Sequence, residues 1–358
     1  MLIPVNDIYN RLKEEKRPVV IYGMGNGADK IIAQLKLYGI PVSGIAASDD
    51  FVRGQSFHGF TVRRISELEQ IFPDLIIIIA FGTSIPEVME HIFSLARRHT
   101  VLAADVPVYG DNYWSKAFYE ENRSDIERAY SLLSDEQSRF VFESMVCYKL
   151  TGGLQYLSRC CSEKDEVFRK LIPLSESETY LDLGAYRGDT IDEFLHYSGG
   201  NYRHITALEP DRKTFSKLKT HTLNMHDIRL YRMGIWSEDR DIPFDSSLGR
   251  GSSVQSGGKE MLAVTCIDTL YAVRRVSYIK MDVEGCERQA LLGGIKTIQR
   301  DKPKLNIAAY HRSEDLFSLI LQLHDIEPSY RLYLRKHPYI PAWDLNLYAA
   351  CDNSLNLP

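Results

Sequence analysis

Three carboxylates stand where the sequence predicts strands to end. Asp182 lies in Tyr180-Leu181-Asp182-Leu183-Gly184, Glu209 directly follows His204 to Leu208, and Asp282 directly follows Val276 to Met281. Strand ends of this kind open on the ligand side of a parallel sheet, so the three can converge. A carboxylate at a buried strand end is unfavourable unless a cation or a hydrogen-bond donor meets it. Such a place repels a pyrophosphate and suits a ligand that carries an ammonium and a sulfonium. Glu209 is placed to accept both hydroxyls of a ribose, with Pro210 turning the chain behind it. Asp182 and the turn Gly184-Ala185-Tyr186-Arg187-Gly188 would lie beside the other end of that ligand. Asp189 and Thr190 open the next helix, where they either cap it or touch the ligand.

A second group could move a proton. Asp282, Glu284 and His311 fall at or just past strand ends, and each is a candidate base for activating a hydroxyl. Asp282 and Glu284 could instead hold a magnesium ion, but two carboxylates alone do not define a metal site. Structural roles compete: Glu284 bonded to the backbone of its turn, His311 buried against a carbonyl. Trp236 follows a predicted strand, Ile228 to Met233, and either stacks on an adenine or packs in the core. Residues 246–258, rich in Gly and Ser, read as a loop closing over the acceptor through Ser252 or Ser253, or as a surface hairpin.

The elements that must position these groups follow from hydrophobic period. From residue 176 to 358 strands and helices alternate regularly, which implies a doubly wound, mostly parallel sheet with right-handed crossovers. A smaller Rossmann-like α/β unit is expected over 1–106. In it Val19 to Tyr22 runs into Gly23-Met24-Gly25-Asn26-Gly27-Ala28, and Asp49 lies about 20 residues further on. Gly23, Gly25, Gly27 and Asp49 are a candidate second nucleotide site, for a nucleotide, nucleotide-sugar or coenzyme A. Equally, the glycines serve only to pack a strand closely on a helix. Residues 107–175 read as a helical connector, with capping boxes at Ser124-Asp125-Ile126-Glu127 and Ser134-Asp135-Glu136-Gln137.

Bulk properties narrow the function. A net charge of -5 over 358 residues and a pI near 6.1 argue against a nucleic-acid binder. The longest apolar run, Leu75 to Phe81, is too short to span a membrane. Six cysteines without a CxxC pair read as reduced thiols, and a cytoplasmic location is expected.

Leu181 to Thr190 (LDLGAYRGDT), Leu208-Glu209-Pro210-Asp211 and Ile279 to Glu287 (IKMDVEGCE) together resemble the FkbM family of S-adenosyl-L-methionine-dependent methyltransferases. Lys302 to Leu305, Tyr310-His311 and Tyr333 to Arg335 add to the resemblance, which spans roughly half the chain. It implies a class I methyltransferase sheet and methyl transfer from S-adenosyl-L-methionine to oxygen, commonly on a sugar, glycan or other polyhydroxylated acceptor. The competing expectation is an oxidoreductase, epimerase or nucleotide-sensing protein that works through the first unit.

Overall fold

The computed structural model describes residues 3–245, 253–254 and 260–351. The closing loop expected over 246–258, with Ser252, lies outside the described residues apart from 253–254.

The amino-terminal strands are β1 (Val19–Tyr22), β2 (Val42–Ala46), β3 (Ser56–Phe57), β4 (Phe60–Arg63), β5 (Ile76–Ile79) and β6 (Thr100–Leu102). They form one sheet in the order β3-β4-β2-β1-β5-β6, parallel except for the β3–β4 hairpin. β1 and β5 are buried along their whole length, as their unbroken apolar content requires when helices cover both faces. The helix Asn26–Leu37 after the glycine turn lays Ala28, Ile31 and Leu35 on that sheet.

The carboxyl-terminal strands are β7 (Thr179–Leu183), β8 (His204–Leu208), β9 (Ile228–Tyr231), β10 (Gly234–Ile235), β11 (Arg240–Asp245), β12 (Ser253–Val254), β13 (Glu260–Thr265), β14 (Tyr278–Met281), β15 (Lys304–Ala308), β16 (Arg331–Lys336) and β17 (Leu345–Ala350). Seven of them build the main sheet in the order β16-β17-β15-β14-β7-β8-β9, with only β17 antiparallel to its neighbours. Strand order reverses at β7, so β7, β8 and β14 bring their carboxyl ends to one switch point.

Leu262 to Thr265 reads in sequence as a strand of the main sheet, but β13 pairs with β10 and β11 in a separate four-stranded sheet. Alternation of apolar residues reports one buried face and does not say which sheet supplies it.

The connecting region is helical and bonded to both sheets. Glu136–Thr151 buries ten of its sixteen residues. Its cap is Asp135, whose carboxylate accepts the Ser138 N–H, and not Ser134 as the capping-box reading implies. Ser134 and Ser138 are used elsewhere: their hydroxyls accept the Leu332 and Leu334 N–H groups of the sheet edge β16. An edge strand otherwise left open is thereby closed. A single apolar cluster runs from Val20 and Ile77 through Phe142 and Met145 to Leu181, Ile307 and Leu334, so both sheets share one core.

The carboxyl end of the amino-terminal sheet also docks on the loop after β16. Thr83 and Ile340 exchange backbone hydrogen bonds of 2.7 and 2.9 Å. A Cβ on Gly82 would stand 2.3 Å from the Trp343 ring, so only glycine lets that indole seat. Gly82→Ala should therefore lower stability by about 1–3 kcal/mol, the usual range for overpacking. Denaturant unfolding checks this; an unchanged midpoint would mean that the seam yields freely.

Candidate active site

The turn after β7 is fixed by its glycines. Gly184 (φ +83°) lies so close to β14 that a Cβ would stand 1.9 Å from the Asp282 carbonyl oxygen. Tyr186 takes a left-handed conformation (φ +47°), and its N–H donates to Glu209 Oε2 at 3.1 Å. The other Glu209 oxygen accepts the Asp211 N–H at 2.8 Å. Burial raises the Glu209 carboxyl to about 7, against those two bonds. Pro210 separates Glu209 from Asp211, which caps the next helix through the Thr214 N–H.

Asp182 is fully buried. One oxygen accepts the Thr190 hydroxyl at 2.6 Å; the other, Oδ1, has no hydrogen-bond partner among the described residues. Burial raises its pKa, while Lys280 and Thr190 oppose the rise. Thr190 therefore serves Asp182. Asp189 is exposed in the first helical turn, and Gly188 occupies the cap position with no side-chain bond, so Asp189 acts on that helix end only through its charge.

Sequence reasoning assigned no role to Lys280. Its Nζ donates to the Gly184 carbonyl at 3.0 Å and lies 3.6 Å from Asp182 Oδ1 and 3.9 Å from Asp282 Oδ2. Burial works against its charge, but Asp182 and Asp282 outweigh burial and hold its pKa above the ordinary value. The signal was a lysine at the centre of an otherwise apolar strand, a place where a charge persists only with partners.

On the other side of Asp282 the chain turns sharply through Glu284 (φ +52°) and Gly285 (φ +88°). His311 is buried behind this turn. Its Nδ1 lies 2.9 Å from Glu287 Oε1, and its Nε2 lies 3.3 Å from Asp282 Oδ1 and 3.6 Å from Glu284 Oε2. Burial alone would lower its pKa, but Glu287, then Asp282 and Glu284, raise it to about 10. At neutral pH His311 is thus a buried imidazolium, and it does not present a free base. Glu287, also missed in the sequence, is fully buried and accepts the Val283 N–H at 2.9 Å, bracing the turn. Tyr310 donates its hydroxyl to Asp282 at 3.2 Å. Glu284 keeps 33% of its side chain open to solvent, yet its surroundings, burial first, raise its carboxyl to about 7 against the pull of His311.

Donor atoms of Asp282, Glu287 and His311 approach within 4.8 Å of one another. The arrangement does not fit a magnesium site. Each ring nitrogen of His311 faces a different carboxylate, so the imidazolium already joins the groups that a divalent ion would need, and magnesium favours an oxygen cage.

Trp236 is not tied to this rim by any described hydrogen bond or ion pair. It packs on Ile242, Leu262 and Val264 of the four-stranded sheet, with the Arg240 guanidinium over its ring. At the amino-terminal turn, Gly23 and Gly27 are explained by packing: Cβ atoms there would stand 3.0 Å from Phe81 and 2.7 Å from the Ala80 carbonyl oxygen. A Cβ on Gly25 would meet nothing within 4 Å among the described residues, and Asp49 is exposed, 3.8 Å from Arg64.

Sheet order, the single antiparallel strand and the carboxylates gathered at the switch point define the class, an α/β methyltransferase fold. Residues 182–340 match the family model described as the Methyltransferase FkbM domain. A methyltransferase FkbM from Methylobacillus flagellatus KT has a similar solved structure, with 22% identity over 97% of this chain and 94% of that one, at a TM-score of 0.72. More remote are an rRNA methylase from Streptococcus thermophilus (12% identity, 50% and 89% covered, TM-score 0.33) and Aeropyrum pernix fibrillarin in complex with natively bound S-adenosyl-L-methionine (15%, 50% and 68%, TM-score 0.32). None of the curated proteins matches the chain. No helix among the described residues is long and apolar enough to cross a membrane. The family-model match over residues 182–340 favours methyl transfer over the oxidoreductase or epimerase expectation.

Proposed function

We propose that the chain is an S-adenosyl-L-methionine-dependent O-methyltransferase whose acceptor is a hydroxyl of a sugar, glycan or other polyhydroxylated molecule. The observation that carries this reading is Glu209, a carboxylate at the switch point held by the Tyr186 and Asp211 N–H groups. Asp182 Oδ1 is met by the Lys280 ammonium at 3.6 Å, so Asp182 holds Lys280 and the Gly184 turn in place beside the ligand. Each Glu209 oxygen accepts one backbone N–H and keeps a lone pair for a ribose hydroxyl. The donor set therefore fits S-adenosyl-L-methionine, which when bound supplies an electrophilic methyl group on a sulfonium.

The residues of the chain divide the remaining work. Asp182 and Glu209 orient the donor, and such positioning accounts for a large part of catalysis in a direct displacement. Glu284, reachable from solvent and raised to about 7, takes the proton of the acceptor hydroxyl as oxygen forms its new bond. His311, held charged by Glu287, keeps Asp282 and Glu284 together at the acceptor side.

Incubation with methyl-labelled S-adenosyl-L-methionine and a panel of saccharides tests the assignment. Label should enter a base-stable ether; transfer to nitrogen, or none with any acceptor, would overturn it. Glu209→Ala removes two acceptors for the ribose hydroxyls and should weaken S-adenosylhomocysteine binding by about 10²- to 10⁴-fold, since bonds to a charged group are each worth roughly 1.5–3 kcal/mol. Calorimetry reads that change directly.

A further inference from the structure

Beside the proposed base lies an arginine that the mechanism above does not use. Arg312 is half-buried and fixed at several points. Its Nε donates to the Gly285 carbonyl at 2.8 Å, and its N–H donates to Asp315 Oδ2 at 2.8 Å. Its guanidinium carbon lies 4.1 Å from the centre of the Tyr109 ring. Tyr109 is held in turn by its N–H, which donates to the His311 carbonyl at 2.9 Å. A Cβ on Gly285 would stand 3.0 Å from Tyr109 Cβ and 3.3 Å from Arg312 Nε, so glycine is what allows the stack to close.

The two outer amino groups of Arg312 meet no described acceptor, and no described carboxylate is paired with it. The nearby acids are committed elsewhere: Asp282, Glu284 and Glu287 surround His311, and Asp315 takes the Arg312 backbone N–H. A guanidinium that has lost part of its water without gaining a counter-ion is unfavourable until an anion meets it. Its planar fork matches carboxylate and phosphate oxygens. Gly285, which anchors this fork, is the residue after Glu284.

We propose that Arg312 is an acceptor-binding residue whose outer amino groups receive an oxyanion, so that the hydroxyl activated at Glu284 belongs to an acidic sugar bearing a carboxylate or a phosphate. The proposal rests on the methyl-transfer reading. Tyr109, from the connecting region, sets the plane of the fork, which gives that region a part in choosing the acceptor.

The test is calorimetry on the full chain saturated with S-adenosylhomocysteine, titrated with glucuronate, glucose 6-phosphate and methyl glucoside. The charged sugars should bind at least about tenfold more tightly than methyl glucoside. Arg312→Gln should erase that difference without changing S-adenosylhomocysteine affinity, and Arg312→Lys, which keeps charge but not the fork, should restore part of it. Stronger binding of glucuronate identifies a carboxylate, and stronger binding of glucose 6-phosphate a phosphate. Equal binding of neutral and charged sugars, no saturable binding of either charged sugar, or an undiminished preference in Arg312→Gln would overturn the proposal. Failure of the methyl-transfer reading is seen separately, as absence of S-adenosylhomocysteine binding before any sugar is added.

Discussion

Glu284→Gln should lower methyl transfer by roughly 10²- to 10⁴-fold, the range that a positioned general base contributes. The replacement keeps the size of the side chain and removes its ability to take a proton. Affinity for S-adenosylhomocysteine should stay close to that of the unaltered protein, because Asp182 and Glu209, not Glu284, orient the donor. The pH profile separates this role from a structural one. With its carboxyl raised to about 7, Glu284 is protonated and inactive below that pH, so turnover should rise through about pH 7 and level off above it. In the variant the residual rate should lose that limb. A rate within threefold of the unaltered protein would show that the base lies elsewhere.

The second large effect is on stability. His311→Ala would leave Glu287, fully buried, without the cation that now faces it, and Asp282 and Glu284 without the group between them. Removing one partner of a buried ion pair costs about 3–5 kcal/mol, mainly through the charge left behind. Glu287→Ala should cost a similar amount, and the double replacement less than the sum, because the two share one interaction. The same group gives the pH dependence a definite sign. His311 is raised from 6.5 to about 10 in the folded state, so its contribution is complete below pH 6.5 and is lost as pH climbs through 10. Glu209 and Glu284, carboxyls raised to about 7 from 4.5, act in the same direction between those values. Urea unfolding at pH 6 and pH 9.5 should therefore give a lower midpoint at the higher pH; a higher one would contradict a charged His311.

The main chain of this site was legible because strand ends are marked in sequence. Apolar runs closed by Asp182-Leu183-Gly184, Glu209-Pro210 and Asp282 place three carboxylates at one rim, and the structure places all three there. Partnerships between side chains were not legible. Lys280 and Glu287 stood in the quoted motif without a role, since nothing local says that Lys280 reaches Gly184 or that Glu287 turns back onto Val283 and His311. Long-range contacts such as Tyr109 with Arg312, or Gly82 with Trp343, join segments some two hundred residues apart or more, and no periodicity encodes them. For Trp236 the sequence left base stacking and core packing open, and the packing seen is on Ile242, Leu262 and Val264 of the separate small sheet.

The most direct measurement is a crystal structure of the full chain with S-adenosylhomocysteine. The ribose hydroxyls should lie on Glu209 and the sulfur should open toward Asp282 and Glu284. Density for the ligand at the Gly23–Gly27 turn, or across the rim with its adenosine away from Glu209, would contradict that arrangement.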